Sequence, residues 1–120
     1  MIGSGFNSPP ANREDQRRCS VPKETYNKKV TDKTCCMHAE QRAIMDALRN
    51  NPAKLPGSMM YVARLDGEGH QERLLGKPYC TLCSKMALDA GIGEFALLCE
   101  DGVRVYDTAE YNKLSFQYSG

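Results

Sequence analysis

An α/β fold with a mixed sheet is what this sequence predicts, from three observations. Strand-like and helix-like patterns alternate along the chain. The two clearest helix patterns open on His38-Ala39-Glu40 and on Cys80-Thr81-Leu82-Cys83, and the last long strand pattern runs through a turn signal into a strand that can return antiparallel. One domain spanning residues 1–120 is expected, large enough to bury roughly two-thirds of its unfolded surface and so hold a core without covalent staples.

Taken in order, Met1 to Phe6 reads as a short strand. Asn7 to Lys33 is a long polar connection in which Arg13, Arg17, Arg18, Lys23, Lys28 and Lys29 mix with Glu14, Asp15 and Glu24. Segments this long without periodicity are usually functional or disordered. Its arginines are candidates to hold a substrate phosphate; the plainer reading is a solvated loop. From Cys36 to Asn50, Ala39, Ala43, Ile44, Ala47 and Leu48 recur at helical intervals, which puts His38 and Glu40 in a first helical turn. Ser58 to Leu65 alternates and is rich in Met, Tyr and Val, a strand pattern, and Asp66 to Lys77 is a charged, glycine-bearing loop. Leu82, Met86, Ala87 and Ala90 mark a second helix, opened by Cys80 and Cys83 and stopped by Gly91. Phe95 to Cys99 is a buried-strand run, Asp101-Gly102 a hairpin turn, and Val103 to Tyr106 the returning strand. Thr108 to Phe116 completes the chain as a helix with Tyr111, Leu114 and Phe116 packed inward, the alternative being that Tyr111 or Phe116 stacks on a base.

The chemistry lies in the two motifs. His38, Cys80 and Cys83 are three metal ligands of the type that selects zinc, and a zinc with three protein ligands keeps its fourth position for water. Two thiolates and a neutral imidazole balance the 2+ charge, and the unpaired N–H groups of a helix start favour thiolate over thiol. Glu40, two residues after the histidine, is then a carboxylate that does not bind the metal and is free to move protons. Other readings stand beside this one. The Cys-x-x-Cys pair alone fits a redox dithiol or half of a structural zinc site, and His70, Cys35 or Cys36 would close a four-ligand shell. Cys19 with Cys35 or Cys36 would suit a second zinc.

His-x-Glu followed by Cys-x-x-Cys resembles the zinc-dependent cytidine/deoxycytidylate deaminase superfamily. Gly5-Phe6-Asn7-Ser8-Pro9-Pro10 is similar to the G-Y-N-G-P-P segment of deoxycytidylate deaminases and lies upstream of the histidine, as it does there. The order of strands and helices also agrees. One departure is that Tyr79 stands between Pro78 and Cys80, where the family usually has proline directly before the cysteine. The resemblance implies a three-layer α/β/α sandwich with one catalytic zinc held by His38, Cys80 and Cys83. It implies hydrolytic deamination of a free amino-pyrimidine nucleoside or nucleotide, by hydroxide on zinc attacking the ring carbon that bears the amine, with Glu40 as proton shuttle. Asn7 would bind a sugar hydroxyl, and Ala39 would contact substrate or water through its backbone N–H. The terminal hairpin points to free-nucleoside and bacterial toxin deaminases, whereas the Asn7 segment points to deoxycytidylate deaminases. The alternatives are a deaminase acting on bases within nucleic acid and a non-catalytic zinc-binding scaffold.

A formal charge of +1 gives no global attraction to nucleic acid or membrane surfaces, so a small free substrate is favoured over duplex nucleic acid. No apolar run approaches membrane-span length, and six cysteines without a signal peptide fit the cytoplasm better than a disulfide framework. A homo-oligomer is expected. In the family fold the chain would begin at the second strand, so that the opening helix and first strand are missing. Residues 1–6 pairing directly with Ser58 to Leu65 is the arrangement open to a lone chain; a strand donated by a partner and a natural start further upstream are the others.

Overall fold

The computed structural model describes residues 1–18, 20–27, 36–65, 71–72, 77–99 and 102–118. Helix α1 spans Ala39–Asn50, strand β1 Met59–Val62, β2 Arg64–Leu65 and β3 Gln71–Glu72. Helix α2 spans Thr81–Ala90, β4 Glu94–Cys99, β5 Gly102–Asp107 and α3 Thr108–Phe116. The long connection after Asn7 holds short 3-10 turns at Pro10–Asn12, Glu14–Gln16 and Lys23–Thr25. Among the described residues no helix is long and apolar enough to cross a membrane.

The main sheet has the order β1-β4-β5, mixed as predicted. β1 runs parallel to β4 with Met60 opposite Phe95 and Val62 opposite Leu97. β5 returns antiparallel, with Tyr106 opposite Phe95, so the terminal hairpin is real and Gly102 at φ 125 turns it. Side chains alternate across a strand. Met60, Val62, Phe95 and Leu97 therefore share one face, and they form a single apolar cluster with Ile44 and Ala47 of α1, Ala87 of α2 and Tyr111 of α3. Tyr111 stacks on Phe95 with ring centroids 4.0 Å apart, which fixes α3 on the strand that carries the sheet. Ser84 Oγ donates to Asn112 Oδ1 at 2.7 Å and ties α2 to α3.

Four expectations are corrected. The strand over Ser58–Leu65 breaks at Ala63, and its end pairs with β3 in a small hairpin of its own. The first helix starts at Ala39, so His38 is the capping residue before it rather than part of its first turn. At the far end of the chain Tyr111 is buried, but Phe116 is 83% exposed and Ser115 takes the inward position. That helix presents residues 108, 111 and 115 to the core, a 3–4 spacing that leaves 116 to one side of the buried face.

The fourth correction concerns residues 1–6, which form no strand; among the described residues nothing pairs with β1 on the side away from β4. They lie along α1 instead. The Ser4 N–H donates to Asp46 Oδ2 at 3.0 Å, and Ile2 O accepts from Asn51 Nδ2 at 2.9 Å, so side chains at the far end of α1 take backbone groups that a sheet would use. Glycine makes the approach possible: a Cβ at Gly3 would stand 2.6 Å from Ala43 O, and one at Gly5 2.6 Å from Ala39 O. No larger residue fits against the helix backbone there.

Candidate metal centre

The chain is brought to one point by two helix starts. His38 sits just before α1 with extended backbone, and its own N–H donates to Gln41 Oε1 at 3.1 Å, which closes the first turn back on it. Cys80 precedes α2 in the left-handed region, φ 71 and ψ 85, while Cys83 lies one turn on and is fully buried. A non-glycine residue held there costs about 1–3 kcal/mol. The turn aims both sulfurs the same way: Cys80 Sγ and Cys83 Sγ are 3.2 Å apart, and each lies 3.1 Å from His38 Nδ1.

Among the described residues these three form the group able to hold a metal ion, all donor atoms lying within 4.8 Å of one another. The donor set fits zinc: one imidazole and two thiols that must ionise. Tetrahedral bonds of about 2.3 Å to sulfur and about 2.0 Å to nitrogen space such donors about 3.5–3.8 Å apart, so the site needs to open by only about half an ångström. Cys36 is not part of the group, and His70, Cys35 and Cys19 lie outside the described residues. The described shell therefore has three protein ligands, the number of an open site.

Charge is unevenly shared between the two thiols. The hydrogen bond with Cys83 pulls Cys80 down to about 6, against the opposing effect of burial, with His38 helping. The same bond pushes Cys83 far up, aided by burial and by the Glu40 carboxylate beside it. The proton they share stays on Cys83. In metal-stripped protein, alkylation of Cys80 by iodoacetamide is expected to rise through a midpoint near pH 6, because the lowered thiol ionises there, while Cys83 stays unreactive through neutral pH. A single midpoint near the ordinary thiol value for both cysteines would contradict this.

Glu40 is 6% exposed and lies one turn before Ala43 on the inner side of α1. It faces a groove of about 490 Å³ bounded by residues 1–5, α1 and the open edge of β1. Asn7 reaches the same helix start: its Oδ1 accepts from the Ala39 N–H at 2.7 Å, which joins the two residues expected to contact substrate. Arg42 holds that segment in place, donating to Pro9 O at 2.7 Å and to Asn12 Oδ1 at 3.0 Å. Arg13 and Arg17 are each paired to a neighbouring acid, Asp15 and Glu14, at 2.7 Å.

Tyr111 is the residue here that spacing alone did not single out. Read from sequence as core, it is 1% exposed. Burial raises its pKa, a backbone hydrogen bond with Tyr79 opposes that, and the charges of Glu40 and Cys83 act in the same direction as burial.

Residues 2–99 match the family described as the cytidine and deoxycytidylate deaminase zinc-binding region. No curated protein and no solved structure matches the chain.

Proposed function

Because the chain belongs to the cytidine and deoxycytidylate deaminase zinc-binding family, we propose that it hydrolytically deaminates an amino-pyrimidine presented as a free nucleoside or nucleotide. The observation that carries this reading is the buried Glu40 beside a three-donor metal group. A scaffold site needs a fourth ligand and has no use for a carboxylate held out of water next to it.

When bound, zinc supplies a Lewis acid that brings the ionisation of water near neutral pH. The chain supplies the proton traffic. Glu40 takes a proton from the attacking water and passes it to the ring nitrogen, then takes the proton of the hydroxyl so added and delivers it to the amine; the carbon–nitrogen bond breaks as the carbonyl forms and ammonia departs. Its burial keeps bulk water from competing for those protons. Asn7, with Oδ1 engaged by Ala39, retains its Nδ2 donor for a sugar hydroxyl. Ala39 would offer its N–H to a substrate oxygen only by exchanging it for Asn7, so the two residues act on the substrate together. The pairing of Arg13 and Arg17 with local acids supports a substrate that does not depend on a phosphate clamp there.

Ammonia release from zinc-loaded protein, measured across free nucleosides, nucleotides and single-stranded oligonucleotides, tests the reading. Turnover is expected on free cytidine-type compounds. Activity confined to oligonucleotides would establish the nucleic-acid alternative, and no release from any substrate would favour the scaffold.

A further inference from the structure

Cys80 stands in a backbone conformation, φ 71 and ψ 85, that a residue other than glycine keeps only where its surroundings force it. The forcing groups come from α3. Tyr111 is stacked on Phe95 and seats α3 on the sheet, so Asn112, the next residue, is held at a fixed place beside the start of α2. Its Oδ1 accepts from Ser84 Oγ at 2.7 Å, and Ser84 is the fully buried residue that follows Cys83. The Ser84 N–H in turn donates to Cys80 O at 3.2 Å and closes the turn that carries both thiols. On the other side of Cys80, the Tyr79 ring lies against the ring of Tyr118, two residues beyond the end of α3, with centroids 5.9 Å apart.

The Ser84 hydroxyl has one proton and two acceptors in reach. Asn112 Oδ1 is at 2.7 Å, and Thr81 O, inside the ligand turn, is at 3.4 Å. A serine hydroxyl bonded back to a carbonyl of its own helix tends to bend that helix. By taking the proton, Asn112 spares the turn that distortion and keeps the Cys80 and Cys83 sulfurs aimed at one spot, 3.2 Å apart. We propose that Asn112 is a positioning residue for the metal: acting through Ser84, it holds the Cys80–Cys83 turn in its metal-binding shape. The proposal depends on the three-donor group alone and not on which base is deaminated.

Chelator competition for zinc, together with the visible spectrum of the cobalt(II)-loaded whole chain, tests this well below the melting temperature. Asn112→Leu and Ser84→Ala should each weaken zinc binding about 10-fold, the lower end of what outer partners of metal ligands contribute, and should alter the thiolate-to-cobalt charge-transfer and d–d bands. The double variant should lose no more than either single one, because both changes remove the same bond. Asn112→Asp keeps the acceptor and should return zinc affinity and spectrum to those of the wild type. Ser115→Ala is the contrast: that buried hydroxyl donates to Tyr111 O at 2.8 Å within α3, so its loss should lower the melting temperature and leave zinc affinity and the cobalt bands unchanged. Wild-type affinity and bands in Asn112→Leu, an Asn112→Asp variant as weak as Asn112→Leu, losses that add in the double variant, or a loss in Ser115→Ala as large as the others would each overturn the proposal. Wild-type protein that takes up neither ion would refute the metal group itself, and the role of Asn112 with it.

Discussion

Replacing Glu40 by Gln is expected to leave zinc bound and the fold intact while deamination falls by about 10²–10⁴-fold, the usual contribution of a general acid–base group, or further because the same group serves several transfers. The amide keeps the size and planarity of the carboxylate at a position 6% exposed, so packing against the α1 start is preserved. What is lost is a basic oxygen. Zinc content by elemental analysis, thermal melting and single-turnover deamination should be measured on one preparation. Turnover near wild type would refute the proton-shuttle role. Loss of zinc with turnover would instead make Glu40 part of the metal's support.

Cys83→Ser should be the most damaging change to the metal. It removes a fully buried ligand and leaves two donors, His38 and Cys80, on separate helix starts. Loss of even an outer partner of a metal ligand costs 10–100-fold in affinity, so a missing ligand should exceed about 100-fold. Competition with a chromophoric chelator reads this directly. The effect should extend to folding, because binding energy for a metal that only the folded chain can hold is also folding energy; the zinc-dependent part of the wild-type melting temperature should disappear. Cys36→Ser is the contrasting variant and should keep zinc, since Cys36 lies outside the donor group. If it lost zinc as completely as Cys83→Ser, the shell would be closed by four ligands and the open-site argument would fail.

Much of this was legible in the sequence because it is local. Three-apart spacing sets Cys80 and Cys83 on one helical turn, Gly91 ends α2 with φ 88 as a left-handed cap must, and an Asp-Gly step between two β runs folds into the antiparallel pair β4–β5. The residue types at His38, Cys80 and Cys83 carry their own metal chemistry, so the ligand set needed no coordinates. What failed was also local in form but global in cause. Phe116 carries a core-type side chain at a position that the 108, 111, 115 face of α3 turns outward. The strand pattern of Met1 to Phe6 gave way because Gly3 and Gly5 allow closer contact with α1 than a sheet neighbour would give.

By itself, then, the sequence determined the ligands, the non-ligand carboxylate, the mixed sheet and its hairpin, since each follows from side-chain chemistry or from a period of two or 3.6 residues. Only the tertiary structure decided that Asn7 and Ala39 share one hydrogen bond, that Glu40 lies beside Cys83, and that residues 1–6 lie along α1 instead of joining the sheet. Those are relations between residues far apart in the chain or on different helices. They depend on how the helices are seated on the sheet, and no spacing along a single segment encodes that.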